Sequence, residues 1–198
     1  MASSMAKFLS TAVFFYCLWL LQSYPGLLEF DRQQILSGDI WRIWTSHLVH
    51  TNNSHFVLNI TAAVIIYFTF LTGIKLGELL LYSFVFATLI SVTLWNIYPN
   101  IVWYNGLSGL LHALVAYFSI RLASDEDKVF WVGLAIVWGK VLIETIRAQS
   151  GYENLIGEMT VITEAHLIGV FFGTATAIIC LTYFRDKGNS EHKQIEAR

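Results

Sequence analysis

Six apolar stretches, at roughly residues 7–24, 55–72, 79–98, 107–122, 129–147 and 160–184, approach or reach the length of about 20 residues that a bilayer core requires. Composition points the same way: 56% of the chain is hydrophobic and 13% is charged, against about 25% charged in an ordinary soluble domain. The expected fold class is an all-α integral membrane protein, a bundle of six transmembrane helices. The 198 residues contain no repeat, no Pro/Gly/Ser-rich linker and no polar block longer than the C-terminal tail. They therefore hold one membrane domain, residues 1–184, and a polar cytoplasmic tail, 185–198, expected to be disordered. A formal net charge of -2 implies no nucleic-acid partner, so the lipid bilayer is the first partner of this chain.

The first stretch follows Lys7 but has no A-x-A-like cleavage site before Pro25-Gly26, so it reads as a retained span. With a cytoplasmic N-terminus, Lys7, Lys75, Arg121, Lys128, Arg185, Lys187, Lys193 and Arg198 fall inside, whereas Arg32, Arg42 and Arg147 fall outside. That bias places both termini in the cytoplasm. Cys17 and Cys180 lie in apolar runs without ligand spacing and are expected as buried small hydrophobes.

This topology sends three connections, about 24–54, 99–105 and 148–159, to the outer face, and each leads into a helix with polar residues near its start. Those residues are His55 and Asn59 on the second span, Ser108 on the fourth and His166 on the sixth. The fourth span, counted from Leu107 to Leu122, is about 24 Å long at 1.5 Å per residue, short of a core of about 30 Å. Its helix is expected to begin below the outer surface, after an irregular segment from Pro99 to Gly106. Such backbone is tolerated at depth only when buried in protein or lining a water-filled cavity. Gly109 and Ala113 form a small-xxx-small face, and Gly169, Gly173 and Ala177 form another. His166 shares a helix face with Gly169 and Gly173, so it points at whatever helix packs on them. If that is the fourth helix, His166 reaches Ser108.

Three motifs carry a resemblance. Trp41-Arg42, Thr45, His50, His55 and Asn59 follow one another at fixed spacing; Gly106-Leu107-Ser108-Gly109 opens the fourth span; Ala165-His166 with Gly169 and Gly173 lies in the sixth. Together they resemble the rhomboid intramembrane serine proteases over roughly residues 30–180. The resemblance implies Ser108 as nucleophile and His166 as general base, a dyad without a third acidic member. It further implies His55, Asn59 and the Ser108 backbone N–H as the oxyanion-binding groups, His50 as a structural residue of the first loop, and no cofactor or metal.

At the fourth position after the nucleophile many rhomboids carry tyrosine, whereas this chain has His112, for which a packing or orienting role is expected. That substitution, with Phe30-Asp31-Arg32-Gln33 and the short six-span chain, is similar to the rhombosortase branch. The branch implies a bacterial inner-membrane enzyme opening to the periplasmic side. Its substrate would be a transmembrane precursor with a Gly-rich C-terminal sorting signal of the GlyGly-CTERM type.

Two other classes compete: an inactive rhomboid-like binding protein, and a metal-binding protein using His47, His50, His55, His112 and His166. The second lacks an HExxH motif, and Glu164 is the one carboxylate that the sequence sets near the histidines. His47 and His50 also read as ordinary interfacial histidines. Glu144 and Arg147 read as an i, i+3 ion pair near a helix end, and Lys140 as a side chain snorkelling to the outer interface.

Overall fold

The computed structural model describes residue 13 and residues 15–125, 127–151, 155–156 and 159–196. The start of the first apolar stretch, with Lys7, lies outside the described residues, as do Glu126 and part of the 148–159 connection.

Residues 15–21 are helical (α1), and four-to-five-residue helices follow at Pro25–Leu28 (α2), Arg32–Leu36 (α3) and Arg42–Thr45 (α4). The long elements are α5 (Asn53–Ile66, continued by a π-helical turn Tyr67–Leu71), α6 (Leu76–Ile97), α7 (Ser108–Asp125), α8 (Phe130–Gln149) and α9 (Thr163–Glu196). Two antiparallel pairs of very short strands complete the described residues: β1 (Phe30–Asp31) with β2 (Trp103–Tyr104), and β3 (Leu155–Ile156) with β4 (Met159–Thr160). In register, Phe30 faces Tyr104 and Asp31 faces Trp103.

Among the described residues, three helices are long and apolar enough to cross a membrane by length and composition: Asn53–Leu71, Leu76–Ile97 and Thr163–Tyr183. The outward faces carry large apolar side chains such as Ile65, Phe68, Leu81, Ile136 and Ile179. A surface of that kind is stable in hydrocarbon rather than in water. Cys17 belongs to it: the thiol is exposed, because α1 leaves that face unpacked, and the expected burial is corrected here. At the other end α9 runs on to Glu196, so the polar tail expected to be irregular continues the helix.

The core forms around α7, whose residues 109–120 are all buried. It packs against α9 most extensively and also against α8, α6 and α5. Closest approach comes from the small residues: a Cβ built on Gly169 would collide with the Gly109 carbonyl, and one on Gly173 with the Ala113 carbonyl. The two small-residue faces read from the sequence therefore meet each other. Trp138 Nε1 donates to Thr174 Oγ1 (3.0 Å), tying α8 to α9, and Arg121 pairs with Glu78 between α7 and α6. At 18 residues α7 is slightly longer than the sequence suggests, about 27 Å, because it continues three residues beyond Leu122.

The segment between α6 and α7, expected to be irregular from Pro99 to Gly106, is so except where Trp103–Tyr104 pair with β1, and it is pinned from outside. Arg32 donates to the carbonyls of Leu94 (2.8 Å), Trp95 (2.7 Å), Tyr98 (2.9 Å) and Ile101 (3.1 Å), tying the end of α6 to the segment that follows it. Asp31 caps α3 by accepting from the backbone N–H groups of Gln33 and Gln34. Arg42 is buried and donates to Asp39 Oδ2 (3.1 Å) and the Glu29 carbonyl (3.0 Å). Trp41 Nε1 donates to the Leu27 carbonyl (3.2 Å), so the Trp-Arg pair ties α4 to the chain that precedes α3.

Candidate active site

Ser108 is the first residue of α7, and the chain that delivers it is held residue by residue. The Thr51 hydroxyl donates to Asn105 Oδ1 (2.7 Å), and Asn105 Nδ2 donates to Glu29 Oε2 (3.2 Å). Gly106 N–H donates to the Ser46 carbonyl (2.9 Å), and the buried Tyr104 hydroxyl donates to the Gly106 carbonyl (2.8 Å). Leu107 N–H donates to His50 Nε2 (3.4 Å), while His50 Nδ1–H donates to Gln22 Oε1 (3.1 Å).

These contacts need neutral histidines in the loop. Burial, with the neighbouring His55 charge, pushes the His50 imidazole down to about 3, and burial pushes His47 down to about 4. Burial pushes the Tyr104 hydroxyl up, which keeps its proton available for Gly106. His47 is buried, with Nε2 3.1 Å from Ser91 Oγ, whose own hydroxyl donates to the Ile43 carbonyl. The interfacial reading of His47 and His50 is therefore corrected: both are internal fasteners of the loop.

His166 is buried near the start of α9, and its Nε2 lies 2.7 Å from Ser108 Oγ. On the opposite edge of the ring Nδ1 lies 2.9 Å from Glu144 Oε2 of α8. A carboxylate only accepts, so Nδ1 carries the proton and Nε2 presents a lone pair to the serine hydroxyl. Glu144 Oε1 accepts from Lys140 Nζ at 2.6 Å. This corrects three expectations. An acidic residue does stand behind the histidine, the carboxylate at the histidines is Glu144 rather than Glu164, and Lys140 turns to that carboxylate instead of only to the interface. Sequence spacing set Glu144 beside Arg147, whereas its two oxygens lie at His166 and Lys140.

His112, one turn beyond Ser108, stacks on His166 with ring centroids 4.3 Å apart and planes 17° from parallel. Its Nδ1–H donates to the Ser108 carbonyl (2.6 Å), so it braces the first turn of α7 from within. Ligand atoms of His112, Glu144 and His166 fall within 4.8 Å of one another. Nearly parallel stacked rings aim their in-plane lone pairs side by side, however, and both His166 nitrogens are already engaged. His47, His50 and His55 are not part of that group among the described residues.

His55 and Asn59 lie one turn apart on α5, whose N-cap Asn52 accepts from His55 N–H (2.8 Å). Asn59 Nδ2 donates to the His55 carbonyl (2.9 Å). His55 Nε2 is buried without a hydrogen-bond partner among the described residues. It faces Gly106: a Cβ there would sit 2.7 Å from His55 Cε1 and 2.9 Å from Nε2, and Gly106 has φ +119. Both the backbone conformation and the space require glycine at that position. Gly109 is also constrained, since a Cβ would come within 3.0 Å of the Ala165 carbonyl and 3.1 Å of the Tyr104 hydroxyl.

A cleft of about 790 Å³ opens over α7 between α5 and α8. Ser108, His112, His166, Asn59, Lys140 and Glu144 line one region of it, and the remainder is mostly apolar, with Leu58, Ala62, Ile66, Phe70, Val115 and Val137 among its walls. A family model described as Rhomboid domain matches residues 37–183. The chain belongs to the rhomboid family. Rhomboids are generally intramembrane serine proteases that act on transmembrane substrates within the bilayer. In this rhomboid the matched region takes in every residue from the Trp41-Arg42 pair to the end of the apolar part of α9.

Sequence reasoning missed Glu144. A signal was available: a carboxylate inside an apolar helix is costly and marks a partner at the same depth. Glu144 lies three residues before the expected end of the fifth span and His166 six residues into the sixth, so both fall near one face of the membrane.

Proposed function

We propose that this rhomboid is an active intramembrane serine endopeptidase that cleaves single-span membrane precursors near the outer face of a bacterial inner membrane. The observation that carries the reading is the 2.7 Å approach of His166 Nε2 to Ser108 Oγ in the wall of a mostly apolar cleft. As Ser108 attacks the scissile carbonyl, its hydroxyl proton passes to His166 Nε2, and the imidazolium then protonates the leaving amine. The oxyanion is bound by the Ser108 backbone N–H, exposed at a helix N-terminus, together with His55 Nε2–H and the Asn59 amide. Water attacks the acyl-serine, and His166 takes its proton in turn.

In this reading α1 and α5 to α9 form six spans, both termini are cytoplasmic, and the site opens to the periplasmic side. The substrate is a precursor whose C-terminal sorting signal carries a Gly-rich motif before its transmembrane helix. Glycine lowers helix propensity by about 1 kcal/mol per residue, which eases the unwinding that a scissile segment needs to reach Ser108.

The test is processing of a reporter bearing a GlyGly-CTERM signal in membranes containing the full-length protein. Wild type is expected to cleave it, and Ser108→Ala and His166→Ala each to abolish cleavage while the protein still accumulates. Equal processing of a reporter whose glycines are replaced by leucine would remove the sorting-signal part of the proposal. Absence of cleavage of every transmembrane reporter tried would favour a rhomboid-like binding protein.

A further inference from the structure

The imidazole of His166 is held between two oxygens, Ser108 Oγ at 2.7 Å from Nε2 and Glu144 Oε2 at 2.9 Å from Nδ1. We infer that Glu144 is a positioning residue for the catalytic base, completing a Ser108–His166–Glu144 triad, with Lys140 anchoring the far oxygen of the carboxylate. The inference rests on the serine-protease reading above and extends it.

Three independent features of the geometry converge. First, the carboxylate sits on the ring edge opposite the serine, which fixes the tautomer with its lone pair toward Oγ. Second, the carboxylate is itself oriented, because Lys140, one turn earlier on α8, donates to Oε1 at 2.6 Å. Third, the ring cannot easily tilt out of line, since His112 lies flat against it at 4.3 Å. A carboxylate and an ammonium inside an apolar helix would otherwise be expensive, and pairing them with a base at the site explains their presence there.

In the acylation step the Ser108 O–H bond breaks and its proton moves to His166 Nε2, while a bond forms from Oγ to the carbonyl carbon. Charge thus appears on the imidazole. Glu144 remains ionised, the Nδ1 proton stays on His166, and the negative carboxylate balances the new positive charge. On collapse of the tetrahedral species the Nε2 proton leaves with the amine. No proton is transferred to Glu144, which touches neither substrate nor the reacting atoms.

The experiment uses the full-length protein in detergent micelles and a fluorophosphonate probe, which reacts with an activated serine without requiring a polypeptide substrate. Wild type, Ser108→Ala, Glu144→Gln and Glu144→Asp are compared for labelling rate, for kcat and KM on a transmembrane reporter, and for thermal unfolding. Glu144→Gln keeps shape and polarity and removes the charge. Its labelling rate and kcat are expected to fall by about 10²-fold or more, with KM within about threefold of wild type. Glu144→Asp, which retains the charge, is expected to recover at least about tenfold of that loss.

Labelling and kcat of Glu144→Gln within about threefold of wild type would overturn the triad, leaving the serine-protease reading intact. So would a loss confined to KM, which would make Glu144 a substrate contact. If Glu144→Gln does not fold, Glu144→Asp decides alone: labelling above one-thousandth of wild type supports the inference, and none overturns it. Wild type labelled no faster than Ser108→Ala would overturn both proposals together.

Discussion

The imidazoles of His112 and His166 form a stacked pair, 4.3 Å between centroids and 17° from parallel, and His112 Nδ1–H donates to the Ser108 carbonyl. One residue therefore braces both the proposed nucleophile and the proposed base. Aromatic stacking of this kind contributes about 0.5–1.5 kcal/mol beyond burial. His112→Tyr, which keeps a flat ring on His166, should retain kcat within about tenfold of wild type, whereas His112→Ala should lower it by more. The two kcat values on a transmembrane reporter check this, and an order reversed between the variants would contradict it.

His55 Nε2, buried without a partner among the described residues, is open to serve the proposed oxyanion role. His55→Ala and Asn59→Ala should each lower kcat by about 10²-fold, the equivalent of roughly 3 kcal/mol of transition-state stabilisation, with little change in KM. Steady-state kinetics with one reporter measures both. A loss carried by KM would assign these side chains to substrate binding.

Two glycines separate activity from stability. Gly106→Ala puts a Cβ against His55 at a φ of +119, next to the reacting atoms, and should cut kcat strongly. Gly173→Ala pushes α9 off Ala113 of α7, well below the site, and should destabilise the bundle by about 1–3 kcal/mol. Thermal unfolding and kcat measured on both variants test the separation.

The loop histidines make stability depend on pH in a defined window. In the fold, burial holds His47 down to about 4 and His50 down to about 3, whereas both titrate near 6.5 when unfolded. Between about pH 6.5 and 4 the unfolded chain therefore binds more protons, so their contribution is complete above 6.5 and is lost as pH falls. The slope reaches up to about 1.4 kcal/mol per pH unit for each ring. Unfolding midpoints between pH 7.5 and 4.5 should fall accordingly, with a shallower slope in His50→Gln. An unchanged slope in that variant would remove His50 from the account.

Much of this structure is legible in the apolar pattern. The stretches at 79–98 and 129–147 become Leu76–Ile97 and Phe130–Gln149, because hydrophobic runs bounded by turn residues leave little freedom in where a helix lies. The contact of Gly109 and Ala113 with Gly169 and Gly173 was legible for the same reason, since small residues at helical spacing mark close approach. What was not legible depends on how helices rotate against each other. Glu144 reaches His166 only because α8 turns that face toward α9, and local spacing suggested Arg147 instead. The β1–β2 pairing, two residues a side, is too short to leave an alternating pattern. Arg32 binds carbonyls more than sixty residues away, which no local signal encodes.

The most direct test of the central claim is mass spectrometry of the full-length protein after reaction with a fluorophosphonate in membranes. The account predicts a phosphonyl adduct on Ser108, absent in His166→Ala, with loss of reporter cleavage in proportion to labelling. An unmodified Ser108 in a preparation that cleaves the reporter would contradict it.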